Sequence, residues 1–141
     1  MKIYKIEILT EYDFYKLENL VERFYFYDAV LVVAKTDDIK IIDLKKCLSK
    51  IQIEKSKSYI SEIARLNFVI SRVIVNIIFK EILKIDIENL NFQRESNNKP
   101  FIENPQGIKF NISHTDGCVI AGFSKKEIGV DVEKINKRFS F

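Results

Sequence analysis

The sequence predicts an α+β fold, a mainly antiparallel sheet packed against one long helix. Three observations point there. Val119-Ile120-Ala121-Gly122-Phe123 is an apolar run, followed by the short polar connection Ser124–Glu127 and the alternating run Ile128–Glu133, which is the pattern of a hairpin. Ile60, Ile63, Ala64, Phe68, Ile70, Val73, Ile74, Ile77, Ile78 and Ile82 recur at helical spacing and make the wide apolar face of a helix buried against a sheet. The 141 residues are 47% hydrophobic, enough for a core of their own, and no repeat, low-complexity tract or linker divides them. A single domain over 1–141 is expected.

In chain order, Lys2–Leu9 alternates in part, with Tyr4, Ile6 and Ile8 on one face, and predicts an amphipathic strand. Thr10 or Asp13 can cap a helix running to Phe26, because Leu17, Leu20, Val21 and Phe24 fall at i, i+3, i+4 and i+7. The aromatic set Tyr12, Phe14, Tyr15, Phe24, Tyr25, Phe26 and Tyr27 is read as core and helix-edge packing rather than as a binding surface. Asp28–Lys35 is a β-branched run that predicts a second strand, closed by the turn Thr36-Asp37-Asp38. Asp43–Ile53 predicts a helix, and Glu54–Leu83 the longest one. Ile85–Asn89 connects to a strand at Leu90–Arg94. A polar turn over 95–100, a short extended stretch at Phe101-Ile102 and a turn at Asn104–Gly107 follow.

Composition excludes several classes. A net charge of +3 with basic residues spread along the chain does not call for nucleic acid. Leu66–Leu83 contains Asn67, Arg72, Asn76, Lys80 and Glu81, which argues against a membrane span. The first residues are too interrupted by charge for a secretory signal. Cys47 and Cys118 lie far apart without metal-like spacing and read as reduced thiols, so the expected location is cytoplasmic.

The last third carries the chemistry. Phe110–Glu133 holds the single His and three of the chain's four Gly. In an extended Ile128–Glu133, Asp131 and Glu133 project to one side while Val130 and Val132 face a core. Two neighbouring carboxylates repel, and a hard divalent cation relieves that repulsion. His114 is read in a polar turn beside Ser113 and Thr115, with Asp116 and Gly117 as turn residues.

Lys99-Pro100, then Phe110-Asn111-Ile112-Ser113-His114-Thr115, then Ile128-Gly129-Val130-Asp131-Val132-Glu133 resemble, in order and spacing, the motifs of the 4'-phosphopantetheinyl transferases of the larger, two-half type, as in surfactin synthetase activation. The resemblance runs from about Ser58 to Lys134. It implies transfer of phosphopantetheine from coenzyme A to a serine of an acyl or peptidyl carrier protein. It also implies Mg²⁺ held by Asp131 and Glu133, with Asp131, Glu133 and His114 as the catalytic set. Ser113 and His114 would meet the phosphates of coenzyme A, and Lys99 its diphosphate or 3'-phosphate, with Pro100 shaping the loop beside the adenine. Family members place basic residues along the long helix near the 3'-phosphate. Lys55, Lys57, Arg65 and Arg72 are the candidates here, Lys55 and Arg72 being taken as cofactor-binding.

A further family motif, W-x-x-K-E-[AS], is not in this sequence, which contains no Trp; its Lys-Glu pairs, Lys80-Glu81 and Lys126-Glu127, both precede Asp131. The implied reading is therefore the first half of a two-half transferase, its site completed by a second half or by self-association. The alternative is a non-catalytic half that binds coenzyme A or a carrier protein.

Overall fold

In the computed structural model, residues 1–135 are described; 136–141, the end of the domain expected over 1–141, lie outside the described residues. Among the described residues there are six strands: β1 (Ile3–Ile8), β2 (Ala29–Lys35), β3 (Gln93–Arg94), β4 (Pro100–Phe101), β5 (Lys109–Thr115) and β6 (Cys118–Ser124). The main sheet has the order β1-β2-β6-β5, and β3 and β4 form a separate ribbon. β1 runs parallel to β2, while β2–β6 and β5–β6 are antiparallel, so the sheet is mainly antiparallel as expected. β5 and β6 close around Asp116-Gly117, where Gly117 takes φ +91°, a conformation that costs glycine little.

Register sorts the side chains. Val30 opposite Phe123, Val32 opposite Ala121 and Ala34 opposite Val119 share one face with Phe110, and all are buried. That face meets α2 (Glu62–Leu83), where Phe79 sits 5.6 Å from Phe110 and 6.3 Å from Phe123, centroid to centroid. The outer face carries Leu31, Val33, Ile120 and Gly122.

α2 is rich in β-branched residues, which are mediocre helix formers. Burial decides its conformation: Phe68 through Ser71 and Val73 through Phe79 are all buried. Ser61 caps its start by accepting the Ala64 N–H at 3.2 Å, and Lys84 ends it at φ 53°. Ahead of it, α1 (Lys50–Lys57) opens with a reciprocal capping box, Gln52 N–H to Ser49 Oγ and Ser49 N–H to Gln52 Oε1. The two helices are joined by a buried polar bridge. Asn76 donates to Cys47 O at 2.8 Å and to Gln52 Oε1 at 2.7 Å.

Several local expectations are corrected. The helices expected over Asp43–Ile53 and Glu54–Leu83 are a 3₁₀ helix, Ile41–Cys47, then α1, then α2. The break falls at Ser58–Ser61, where Ser58 Oγ donates to Lys55 O and Arg65 donates to Ser56 O, satisfying carbonyls at the end of α1, and to Tyr59 O in the break itself. Ile60, assigned to the apolar face, lies in this break and is 99% exposed. The helix expected up to Phe26 is two 3₁₀ helices, Glu11–Leu17 and Val21–Tyr25. Leu17, Leu20 and Phe24 are nonetheless buried, whereas Tyr12, Tyr15, Tyr25 and Phe26 are exposed. The strand expected at Leu90–Arg94 shrinks to Gln93–Arg94. The expected third strand, Ile128–Glu133, has no backbone ladder. Side chains take the ladder's place, as follows.

Candidate functional site

Alternation along β5 divides its residues between the two faces of the sheet. Phe110, Ile112 and His114 point to the α2 side; Asn111 and Ser113 point outward, opposite Gly122 and Ile120 of β6. The outward pair holds the segment Ile128–Glu133. Asn111 Oδ1 accepts the Val130 N–H at 2.9 Å, and Ser113 Oγ accepts the Val132 N–H at 3.1 Å. Ser113 Oγ in turn donates to Asp131 Oδ1 at 3.2 Å. The segment can lie this close because residue 122 is glycine. A Cβ there would stand 2.7 Å from Val130 Cγ1 and 2.8 Å from Ile128 Cδ1. Ile128, Val130 and Val132 are half-buried while Asp131 and Glu133 are exposed, so the alternation expected from sequence survives without the ladder.

Lys99 joins the same place from the turn before β4. Its Nζ donates to Ile128 O at 3.2 Å and lies 3.9 Å from Glu127 Oε2. Glu127 also accepts from Lys109 Nζ at 2.6 Å, and that hydrogen bond draws the Glu127 carboxyl below the usual carboxylate range and raises the Lys109 ammonium.

His114 stands in β5 rather than in a turn, which is a correction to the sequence reading; the turn is Asp116-Gly117. As neighbours in a strand, Ser113 and His114 project to opposite faces and do not converge. His114 meets α2 instead, with Nδ1 3.4 Å from Asn67 Nδ2, which also donates to Thr115 O at 3.3 Å.

The basic candidates separate cleanly. Arg65 is occupied by the α1 end, and Lys57 pairs with Glu54 at 3.3 Å. Lys55 and Arg72 instead line a cavity of about 360 Å³ together with Phe68, Phe92, Arg94 and Pro100. Arg72 stacks between two rings, 5.0 Å from the Phe68 centroid and 5.4 Å from that of Phe92, while Lys55 Nζ lies 5.4 Å over Phe68. Burial lowers the Arg72 pKa below the usual guanidinium range, and the like charge of Arg94 adds to this. Such crowding of cations beside apolar rings favours an anion. Sequence reasoning missed Arg94 and Phe92, although their i, i+2 spacing ahead of a turn was the available signal.

Two pairs of consecutive residues tie the cavity to the motifs. Pro100 lines the cavity while Lys99 holds Ile128, and Phe68 lines the cavity while Asn67 meets His114. Lys55, Arg72 and Pro100 thus share one cavity, and Lys99, Ser113 and Asp131 one hydrogen-bonded segment with Glu133 beside it. Among the described residues, no group of three or more His, Cys, Asp or Glu side chains is arranged to hold a metal ion. The pair Asp131 and Glu133 does offer hard oxygen donors to solvent on one side of the chain, the chemistry Mg²⁺ takes when substrate phosphates and waters fill its remaining positions. No helix among the described residues is long and apolar enough to cross a membrane.

Compared with known proteins, residues 35–125 match the family described as 4'-phosphopantetheinyl transferase, N-terminal. The matched stretch contains β5, β6 and all the cavity residues named above; Asp131 and Glu133 lie beyond it. The chain is 37% identical over 57 residues to the 4'-phosphopantetheinyl transferase gsp of Aneurinibacillus migulanus, an alignment covering 40% of this chain and 23% of the relative. It is 27% identical over 96 residues to the 4'-phosphopantetheinyl transferase psf-1 of Bacillus pumilus, covering 60% of this chain and 41% of the relative. The chain therefore spans less than half the length of these curated relatives. The motif residues, the α+β fold and a family match over more than half the sequence agree: the chain belongs to the 4'-phosphopantetheinyl transferase family and corresponds to its N-terminal part.

Proposed function

We propose that the chain is the coenzyme A-binding half of a Mg²⁺-dependent 4'-phosphopantetheinyl transferase. The reaction moves phosphopantetheine from coenzyme A to a serine hydroxyl of an acyl or peptidyl carrier protein and leaves adenosine 3',5'-bisphosphate. The observation that carries this reading is the convergence of Lys55, Arg72, Arg94 and Pro100 on one cavity, joined through Lys99 to the segment bearing Asp131 and Glu133. Coenzyme A is a polyanion with an aromatic base. A cavity that offers guanidinium groups for phosphates and the Phe92 and Phe68 rings beside them suits both parts.

Within that reading each residue has a physical task. Arg72, partly buried between its two rings, and the exposed Arg94 would hold a phosphate at the mouth of the cavity through charge-assisted hydrogen bonds. Ser113 orients the Asp131 carboxylate by donating to Oδ1, leaving its other oxygen for a cation. Asp131 and Glu133 would hold Mg²⁺, which supplies charge neutralisation at the pyrophosphate where the bond is broken. Phosphoryl transfer depends on positioning and charge more than on a covalent intermediate, so a site of this kind needs no nucleophile of its own. The domain over 1–141 is the equivalent of the N-terminal half and acts in the cytoplasm, with a second half or a second copy completing the carrier-protein site.

Calorimetric titration of coenzyme A with Mg²⁺ or with EDTA tests the metal part. Binding should weaken in EDTA, and Asp131→Ala should bind as weakly with Mg²⁺ as the wild type does without it. Binding that EDTA does not weaken, or Mg²⁺-dependent binding as tight in Asp131→Ala as in the wild type, would refute the carboxylate assignment.

A further inference from the structure

Asn67 is 4% exposed, yet its Oδ1 has no hydrogen-bond partner among the described residues. A buried acceptor left unpaired costs about 1–3 kcal/mol, so something else fixes the orientation of this amide. Both contacts of the side chain lie on its nitrogen. Nδ2 reaches Thr115 O at 3.3 Å and His114 Nδ1 at 3.4 Å. The carbonyl of Thr115 can only accept. Turning the amide over would set oxygen against oxygen there, so nitrogen must face β5. The amide nitrogen carries two hydrogens and can serve both contacts at once. It has no lone pair to offer an imidazole N–H, so the neighbouring ring nitrogen must be the acceptor.

We propose that Asn67 is a positioning residue that holds His114 as the Nε2–H tautomer. Nδ1 receives the amide hydrogen, and the ring's only N–H is then at Nε2, on an exposed residue, free to donate to a phosphate oxygen of a bound ligand. The assignment of that phosphate to coenzyme A rests on the function proposed above; the tautomer does not. Ser71, one turn along α2, donates to Asn67 O at 2.6 Å and steadies the backbone beneath the amide.

The chain has one histidine, so its ring nitrogens give unambiguous ¹⁵N signals. At a pH where the ring is neutral, the ligand-free wild type should show an unprotonated Nδ1 and a protonated Nε2. Asn67→Asp, nearly the same shape, presents only acceptors, and should move the ring proton to Nδ1. Coenzyme A affinity should fall at least several-fold in this variant and recover in Asn67→Gln only if the amide again reaches Nδ1. A protonated Nδ1 in the wild type, or the same tautomer in both proteins, overturns the proposal. If circular dichroism shows Asn67→Asp unfolded, Asn67→Leu replaces it. That variant should show a mixture of both tautomers, and an unchanged ring would overturn the proposal equally. Correct tautomers in a wild type that does not bind coenzyme A would refute the proposed function and leave the role of Asn67 standing.

Discussion

Ser113 Oγ stands between Asp131 Oδ1 at 3.2 Å and the Val132 N–H at 3.1 Å, donating to the first and accepting from the second. One hydroxyl therefore links the two motifs of this chain, FNISHT in β5 and the carboxylate segment after β6. Ser113→Ala removes both bonds. A neutral hydrogen bond contributes about 0.5–1.5 kcal/mol. The Val132 amide should therefore exchange with solvent about two- to tenfold faster, with the β5–β6 amides unchanged. Equal exchange at Val132 in both proteins would show that the hydroxyl does not hold the segment.

Gly122 is where the sheet makes room for that segment. Its missing side chain is occupied by Val130 Cγ1 and Ile128 Cδ1, which an alanine Cβ would meet at 2.7 and 2.8 Å. Gly122→Ala should lift the segment rather than unfold the sheet, because Ile128–Glu133 has no ladder to lose while β6 is paired on both sides. Overpacking of this kind costs about 1–3 kcal/mol. Val130 and Val132 should lose exchange protection, with the far-ultraviolet dichroism retained. Coenzyme A binding that depends on Mg²⁺ should weaken with them.

Asp13 ties the end of β1 to the first 3₁₀ helix. Its Oδ2 accepts the Leu9 N–H at 2.8 Å and the Thr10 N–H at 3.1 Å. The Leu9 bond, with help from Thr10 and Lys16, lowers its pKa below the usual 3.8. A depressed folded-state pKa means stability that is complete above 3.8 and lost as the pH falls through the lower, folded value. Asp13→Ala should be less stable than the wild type by about 0.5–1 kcal/mol at neutral pH, near the low end for a lost cap because solvent reaches the site. Urea midpoints measured down to acid pH should converge. A gap that stays constant through this range would contradict the assignment.

Much of this was legible in the sequence, for identifiable reasons. The hydrophobic periodicity of α2, the partial alternation of β1 and the apolar runs of β2 and β6 are set by burial, which sequence pattern reports directly. The Ser49–Gln52 capping box is a local pattern of the sequence, whereas the break at Ser58–Ser61, inside the expected long helix, is not. No Gly or Pro marks that break; Arg65 makes it by capping carbonyls from six and nine residues away in sequence. The stripe Leu17, Leu20, Val21 and Phe24 misled because its spacing serves a 3₁₀ pair as well as an α-helix. In the site, the spacing of Asp131 and Glu133 predicted their common side. Nothing local predicted that Ser113 and His114 part company, since that follows from β5 continuing through Thr115. Arg94 and Asn67 were missed because their importance lies in tertiary contacts, Arg94 where the β3–β4 ribbon meets α1 and α2, and Asn67 where α2 meets β5.

In the proposed function the cavity between Arg72, Arg94 and Lys55 grips the phosphates of coenzyme A. Parallel calorimetric titrations with coenzyme A and with 3'-dephospho-coenzyme A, on the wild type and on Arg72→Gln, test it most directly. A charge-assisted hydrogen bond contributes about 1.5–3 kcal/mol, or roughly tenfold and more in affinity. The wild type should prefer coenzyme A over the dephospho form by about that factor, and Arg72→Gln should lose most of the preference while remaining folded. Equal affinity of the wild type for both ligands, or a preference untouched by Arg72→Gln, would contradict the account.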